Sequence, residues 1–298
     1  MARDTMEGAE KAKAISSEQF GSRKRHQANY LGCIKNMVVD IIRQKRLPAI
    51  LCSNDAKSCY DRVVPQVLMM SLRRLGVPKS VIYSLIDTFQ AMQHHLRTSY
   101  GDSDEYFTCE KGNIRFHGTG QGNGFAPCIW AAISTVMIEV MKDLNLGSTI
   151  QSAITKMLST FIAFAFVDDT DLIKIGTNDD SMDQVAEEMQ QMLRMWQGLL
   201  RSTGGALVPR KSWYVPIDFT WKNGKWDYKK ITDIELYMED HNRQEEKLTL
   251  LNFDESKRML GIYVAADGNS KRQVEVLREK AESWKLRVLA GYLNRANT

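Results

Sequence analysis

The sequence lacks most of what would mark a secreted, metal-stapled or membrane protein. Its five cysteines, Cys33, Cys52, Cys59, Cys109 and Cys128, show neither paired zinc spacing nor a disulfide framework, which suits a reducing compartment. Joining His94-His95 to those distant cysteines makes no metal motif either. The stretch from Met1 to Gln19 is polar and charged, without the apolar core of a signal peptide. The longest apolar run, Phe125 to Met141, carries Pro127 at its start and Glu139 near its end, and reads as a buried helix rather than a membrane span. No loop ends in Gly-Lys-Ser/Thr to cradle a phosphate, and no dinucleotide fingerprint follows a strand. Internal repeats and low-complexity tracts are missing too. A net charge of +4 permits a polyanionic partner without demanding one, because clusters matter more than totals. The expectation is a soluble, intracellular protein of the cytoplasm or nucleus, with no membrane partner. Its 298 residues, 43% hydrophobic, can bury the core of one large or two small domains.

What is present is acidic and placed at strand ends. Phe161-Ile162-Ala163-Phe164-Ala165 reads as a buried strand, Thr170 to Ile175 as its return partner, and Phe166-Val167-Asp168-Asp169 as the hairpin between them. Adjacent carboxylates beside a buried strand repel each other and lose hydration unless compensated. Magnesium is the usual compensation for hard carboxylate oxygens, a solvated Asp-Asp turn the plainer alternative. A second apolar segment, Leu47 to Cys52, also leads to an acid, Asp55. Strand-terminal acids lying side by side can hold two metal ions roughly 3.5–4 Å apart, an arrangement suited to in-line displacement at phosphorus.

Between these acids lies His117-Gly118-Thr119-Gly120-Gln121-Gly122-Asn123-Gly124-Phe125-Ala126-Pro127. Its glycines let backbone approach a ligand closely, and Pro127 fits the first turn of a helix. Gln121 could touch a sugar, a base or a template backbone; a flexible loop capping a core helix is the other reading.

In this order the blocks resemble the reverse transcriptases of non-long-terminal-repeat (LINE-like) retroelements. Asp55 to Val63 resembles the first catalytic motif, Gly120 to Pro127 the Gln-Gly…Pro motif, and Phe166 to Asp169 the aromatic-x-Asp-Asp signature. Thr203 to Ser212 resembles the next motif with its lysine, and Leu260-Gly261 the short hairpin before the thumb. The resemblance spans about Phe20 to Asn294. It implies an α+β polymerase palm, an antiparallel sheet backed by helices, with partial fingers and the start of a thumb. It implies an RNA-directed DNA polymerase that joins deoxynucleotides to a primer 3′-hydroxyl by two-metal nucleotidyl transfer. The partners would be an RNA template, a DNA primer and deoxynucleoside triphosphates. Asp55 and Asp168 would be ligands of two magnesium ions, with manganese as an alternative, and Asp169 the third acid. Tyr60 would stand under the incoming sugar, where a ring collides with a 2′-hydroxyl, the group that tells RNA from DNA. Gln121 and Gly122 would place template and nucleotide, and Lys211 would lie near the pyrophosphate as a proton donor. An ordinary core tyrosine and a solvated lysine are the plain alternatives. Departures are Val167 for a more frequent alanine, Phe125 where a small residue is usual, and few residues upstream of Asp55. The implied partition is a disordered leader at 1–19, a partial fingers helix at 20–46, the palm at 47–265 and the opening thumb helix at 266–298. A polymerase core cut at both ends, or a catalytically silent nucleic-acid-binding remnant, both fit that partition.

Helical periodicity predicts helices from Asn29 to Arg46, from Pro65 to Gly76, from Pro78 to about Leu96, from Pro127, and from Ser181 to Ser202. Short segments at 97–100, 106–109 and 114–116 suggest a small antiparallel unit. The aromatics of 212–230, Trp213, Tyr214, Phe219, Trp221, Trp226 and Tyr228, are expected to pack in the core, with base stacking as the alternative. Basic clusters occur at Arg23-Lys24-Arg25 and Arg73-Arg74. The mixed charges of the last segment, among them Lys271, Arg278 and Glu282, read as a solvated helix face.

Overall fold

The computed structural model describes residues 2–108, 116–120, 122–152, 154–259 and 262–291. The chain runs through α1 (Ala2–Lys11), α2 (Ala28–Lys45), β1 (Ala49–Asn54), α3 (Cys59–Arg62), α4 (Pro65–Arg74) and α5 (Lys79–Gln90). A hairpin of β2 (His94–Thr98) and β3 (Gly101–Phe107) precedes α6 (Ala126–Asp143). Next come β4 (Ser148–Gln151), β5 (Leu158–Phe161), β6 (Ala163–Phe166), β7 (Asp169–Ile175) and α7 (Met182–Ser202). Then follow β8 (Trp213–Ile217), β9 (Phe219–Lys222), β10 (Lys225–Tyr228), β11 (Tyr237–Glu239), β12 (Glu245–Lys247), β13 (Thr249–Leu250), β14 (Lys257–Met259), β15 (Ile262–Val264) and α8 (Lys271–Leu289).

The architecture is mixed α+β. One five-stranded sheet of order β13-β8-β1-β7-β6 carries the fold, with two-stranded hairpins around it. Its pairs are antiparallel except for the edge strand β13, which runs parallel to β8. Register pairs Asn54 with Thr170 and Phe166 with Asp169, so the residues just beyond β1 and the β6–β7 turn share one end of the sheet.

The strands are apolar on both faces, and both faces are covered. Ile50, Cys52, Leu172 and Tyr214 join the core built with α6 and α7. Ala49, Leu51, Ile173, Val215 and Ile217 pack with Leu31, Val38 and Ile42 of α2. Helices back both faces of the sheet, so neither face is left open to the acids. Near-continuous apolar strands need cover on both sides, so the acids stand at the strand ends instead.

Helix α7 shows how local sequence sets an element. Ser181 and Gln184 form a reciprocal capping box, and Val185, Met189, Leu193, Trp196 and Leu200 bury one face. It stops at Gly204, whose φ of +93° only glycine adopts freely. Helix α6 is buried on most sides, from Cys128 to Met141. No helix among the described residues is long and apolar enough to cross a membrane.

Three local expectations change. In the stretch expected as a disordered leader, the described residues 2–19 hold ordered structure: α1 buries Met6 and Ala9, and Ile15 to Gln19 lie against α6 and β6. Only Met6 and Ala9 anchor this short, charged helix, so tertiary packing decides. The helix after Pro78 ends at Gln90 rather than Leu96, because His94 to Thr98 pairs with β3. The third segment of that unit, near 114–116, and Leu260-Gly261 fall largely outside the described residues, although β14 and β15 flank the latter as an antiparallel pair. Among the aromatics of 212–230, Tyr214 is buried and Tyr228 stacks on Phe253, but Trp221 and Trp226 stay about half exposed against each other. Helix α8 buries no side chain.

Candidate functional site

The acid-bearing end of the sheet is assembled from three separated segments. Asp55 follows β1 and is tied to the 203–212 block from both sides. Its N–H donates to Ser212 Oγ at 3.2 Å, and its carbonyl accepts from the Val208 N–H at 2.9 Å. Lys57 N–H reaches Ala206 O, and Ala56 bridges Leu207. Gly204 packs so closely on Arg62 that an added Cβ would lie 2.2 Å from the Arg62 carbonyl oxygen. That block therefore delivers Lys211, on a short 3-10 turn, with Nζ 3.5 Å from Asp55 Oδ2. Lys211 is largely exposed, and a pair of that kind contributes about 0–1 kcal/mol.

Asp168 and Asp169 come from the β6–β7 turn. Its second residue, Val167, is left-handed with φ +58°, a strained state for a β-branched residue. The Asp169 carboxyl still meets solvent, yet it is pushed up to about 6, by partial desolvation first and then by Asp168, Asp171 and Asp55. Burial that disfavours the charged form, followed by repulsion from three neighbouring carboxylates, produces that direction. Asp168 accepts a hydrogen bond from the buried Cys59 thiol, and burial together with that carboxylate pushes the thiol up. Tyr60 stands beside it. Its phenol is pushed up by burial first, then by Cys59 and Asp168, and its ring meets Trp130 edge-on at 6.4 Å.

The glycine-rich loop docks on the same turn of chain. Gly118 N–H donates to Val63 O at 2.7 Å, and Thr119 N–H to Tyr60 O at 2.9 Å. Gly118 has φ +80°, and an added Cβ would come within 2.4 Å of Asp61 Cα. Only glycine fits there. Gly122 is exposed with φ +94° and open space around it, whereas Gln121 lies outside the described residues. Phe125 is buried at the start of α6, its N–H held by Asn123 Oδ1 at 3.0 Å, so it seats the loop rather than crowding it.

The structure thus brings Asp55, Asp168, Asp169, Tyr60 and Lys211 to one end of the sheet. Among the described residues no three His, Cys, Asp or Glu side chains stand close enough to cage a metal as they are. The hard carboxylate oxygens of Asp55, Asp168 and Asp169 are the donor type that magnesium takes. A cavity of about 870 Å³ lies elsewhere, lined by Met6, Glu10, Arg23, Pro127 and Cys128, and none of the acids reaches it. An open strand-end site suits an extended substrate better than an enclosed pocket would. Arg23, read from sequence as part of a basic cluster, is turned inward: it pairs with Glu10 and donates to the carbonyls of Ser16 and Gln19. Lys24 and Arg25 remain exposed.

Sequence reasoning missed Gln19. Fully buried, it bonds both the N–H and the carbonyl of Val167, as described below. Nothing local marks it, since its partners on Ser134 and Val167 lie more than a hundred residues later.

No protein-family model matches the chain, and no curated protein sequence does. Solved structures of telomerase do. Telomerase from Candida tropicalis with a TWJ fragment of telomeric RNA is 14% identical over 72% of this chain and 33% of that one, with a TM-score of 0.47. The apo enzyme from Candida tropicalis truncated from its C-terminal domain is 12% identical over 83% and 44%, TM-score 0.47. Telomerase from Candida albicans with the TWJ fragment is 14% identical over 82% and 38%, TM-score 0.43. The chain spans less than half the length of each of these structures.

Proposed function

We propose that this chain is the palm of an RNA-directed DNA polymerase of the non-long-terminal-repeat retroelement kind, and that it extends a primer 3′-hydroxyl with deoxynucleotides. The observation that carries the reading is the gathering of Asp55, Asp168 and Asp169 at one strand end, where burial first and then the neighbouring carboxylates raise the Asp169 carboxyl to about 6. A structural surface would disperse such charges. The ordered motif blocks support the same reading.

Asp55, Asp168 and Asp169 would hold two magnesium ions, or manganese in their place. Bound there, the ions would supply activation of the attacking hydroxyl and neutralisation of charge on the leaving oxygens. The chain's own groups do the rest. The Tyr60 ring, held edge-on by Trp130, limits the room for a 2′-hydroxyl on the incoming sugar. Lys211, resting against Asp55, is placed to give its positive charge or a proton to departing pyrophosphate. Gly122 lies on the loop docked to Tyr60, and Gln121, its neighbour in sequence, would act with it to place template and nucleotide.

The test is primer extension on an RNA template with magnesium. Asp168→Ala should lower the rate by at least about a thousandfold while leaving the chain folded; an equally active variant refutes the assignment. A second reading, a silent nucleic-acid-binding scaffold, is favoured by the Lys211–Asp55 contact and by the unclosed ligand set. It requires salt-sensitive binding without any templated product, so one extended primer removes it.

A further inference from the structure

Beyond the acids themselves, the geometry points to Gln19 as a positioning residue for the catalytic turn, an inference that rests on the polymerase reading. Val167 sits between Phe166 and the two aspartates with φ +58°. For a β-branched side chain that conformation persists only if the surroundings over-determine it. Gln19 supplies the constraint. Its Oε1 accepts from the Val167 N–H at 3.0 Å, and its Nε2 donates to the Val167 carbonyl at 3.1 Å. One amide therefore grips both polar groups of the residue, as a neighbouring strand would.

The rest of its hydrogen-bonding capacity fixes Gln19 in place. Nε2 also donates to Ser134 Oγ at 2.8 Å, and Oε1 accepts from the Gly21 N–H at 2.8 Å. Ser134 Oγ in turn donates to the Trp130 carbonyl, and Trp130 Nε1 donates to Val167 O at 2.7 Å. The side chain is fully buried, so each lost partner would be left without water to replace it. The backbone on either side is pinned as well. Glu18 O accepts from Ala165 N–H, Phe20 N–H donates to Ala165 O, and Glu18 Oε2 accepts from the N–H groups of Ile162 and Ala163. Gly21 completes the seat: an added Cβ would fall 2.2 Å from Val167 N. The segment from Glu18 to Gly21 is thus a strap along β6 in which the Gln19 side chain sets the turn.

The consequence is directional. With the Val167 peptide gripped at both ends, Asp168 is held toward Cys59 and Tyr60, and Asp169 toward Asp55. Releasing the grip lets Val167 relax to negative φ and swings Asp168 away, with the strands intact.

The test is a double-mutant cycle of Gln19→Ala and Val167→Gly, because glycine adopts φ +58° without strain and so does not need the clamp. In magnesium-dependent primer extension, Gln19→Ala should lower kcat by about 10- to 100-fold and leave nucleotide KM within about twofold. Adding Val167→Gly should return kcat to within about threefold of Val167→Gly alone. A Gln19→Ala rate equal to the parent, or a double variant as slow as Gln19→Ala, overturns the role. Melting temperatures of the same four proteins read the clamp without activity. A double variant that melts higher than the sum of the single losses supports it, and strict additivity refutes it. If the parent fails to extend primers, the polymerase reading falls while the melting cycle still decides on the clamp. Gln19→Glu, which keeps the length and the accepting oxygen, replaces Gln19→Ala in both arms if the latter does not fold.

Discussion

Replacing Lys35 with methionine should cost this protein far more than removing any of its surface charges. Lys35 projects from α2 onto the sheet with its Nζ 2.8 Å from Asp171 Oδ2; the two side chains are 1% and 5% exposed. The ammonium also lies 5.7 Å from the centre of the Trp213 ring. Asp171 is two residues past Asp169 on the same strand, so both point to the α2 side. Its charge is among the causes that raise the Asp169 carboxyl.

Removing one partner of a buried pair strands the other, at about 3–5 kcal/mol. For a chain of this length that corresponds to a fall of about 5–8 °C in melting temperature. Removing both, in Lys35→Met/Asp171→Leu, should recover most of the loss, because an apolar pair of similar volume needs no compensation. Thermal unfolding of the parent, the single variants and the double variant measures this directly. A Lys35→Met protein melting within about a degree of the parent, or a double variant no better than the single, would refute the reasoning.

Two further outcomes follow from the acid cluster. Folding raises the Asp169 carboxyl from its ordinary 3.8 to about 6, so the folded chain holds that proton more tightly than the unfolded one. Its contribution to stability is therefore complete below about pH 4 and declines as pH rises through about 6. Melting curves from pH 4 to 8 should show the decline, and excess magnesium should flatten it; the apparent magnesium affinity should rise about tenfold between pH 5 and 7, read by calorimetry. At the sugar site, Tyr60→Val should increase the ribonucleotide-to-deoxynucleotide ratio of kcat/KM by about 10- to 200-fold. An unchanged ratio would remove Tyr60 as the discriminating group.

Much of this site was legible because it obeys local rules. An apolar run that ends in an acid reads as a strand terminus, and two such runs, Leu47 to Cys52 and Phe161 to Ala165, do supply strands of one sheet, running the same way with β7 antiparallel between them. Helices α2, α4 and α7 follow their apolar periodicity to within a residue or two of the expected ends. What stayed hidden was set by distant partners. Lys35 looks like any surface lysine of an amphipathic helix until Asp171 is placed beneath it. Trp221 and Trp226 have the composition of a core but sit in a hairpin that the core does not reach. Arg23 belongs in sequence to a basic cluster and is an internal brace.

The segment Ile15 to Gly21 shows why such errors fall where they do. Its polar composition argues against burial, because each polar group taken from water needs a partner. The structure supplies those partners one by one: Thr135 Oγ1 for the Ser16 N–H, Lys142 and two backbone N–H groups for the Glu18 carboxylate, and Ser134 and Val167 for the Gln19 amide. All of them lie on α6 or at the β6–β7 hairpin. A stretch that reads as disordered is therefore held by the two elements that bring Trp130 and the aspartates together, and its polarity is what lets it grip a strained turn. Burying apolar side chains there would cover the same surface but could not hold both ends of the Val167 peptide.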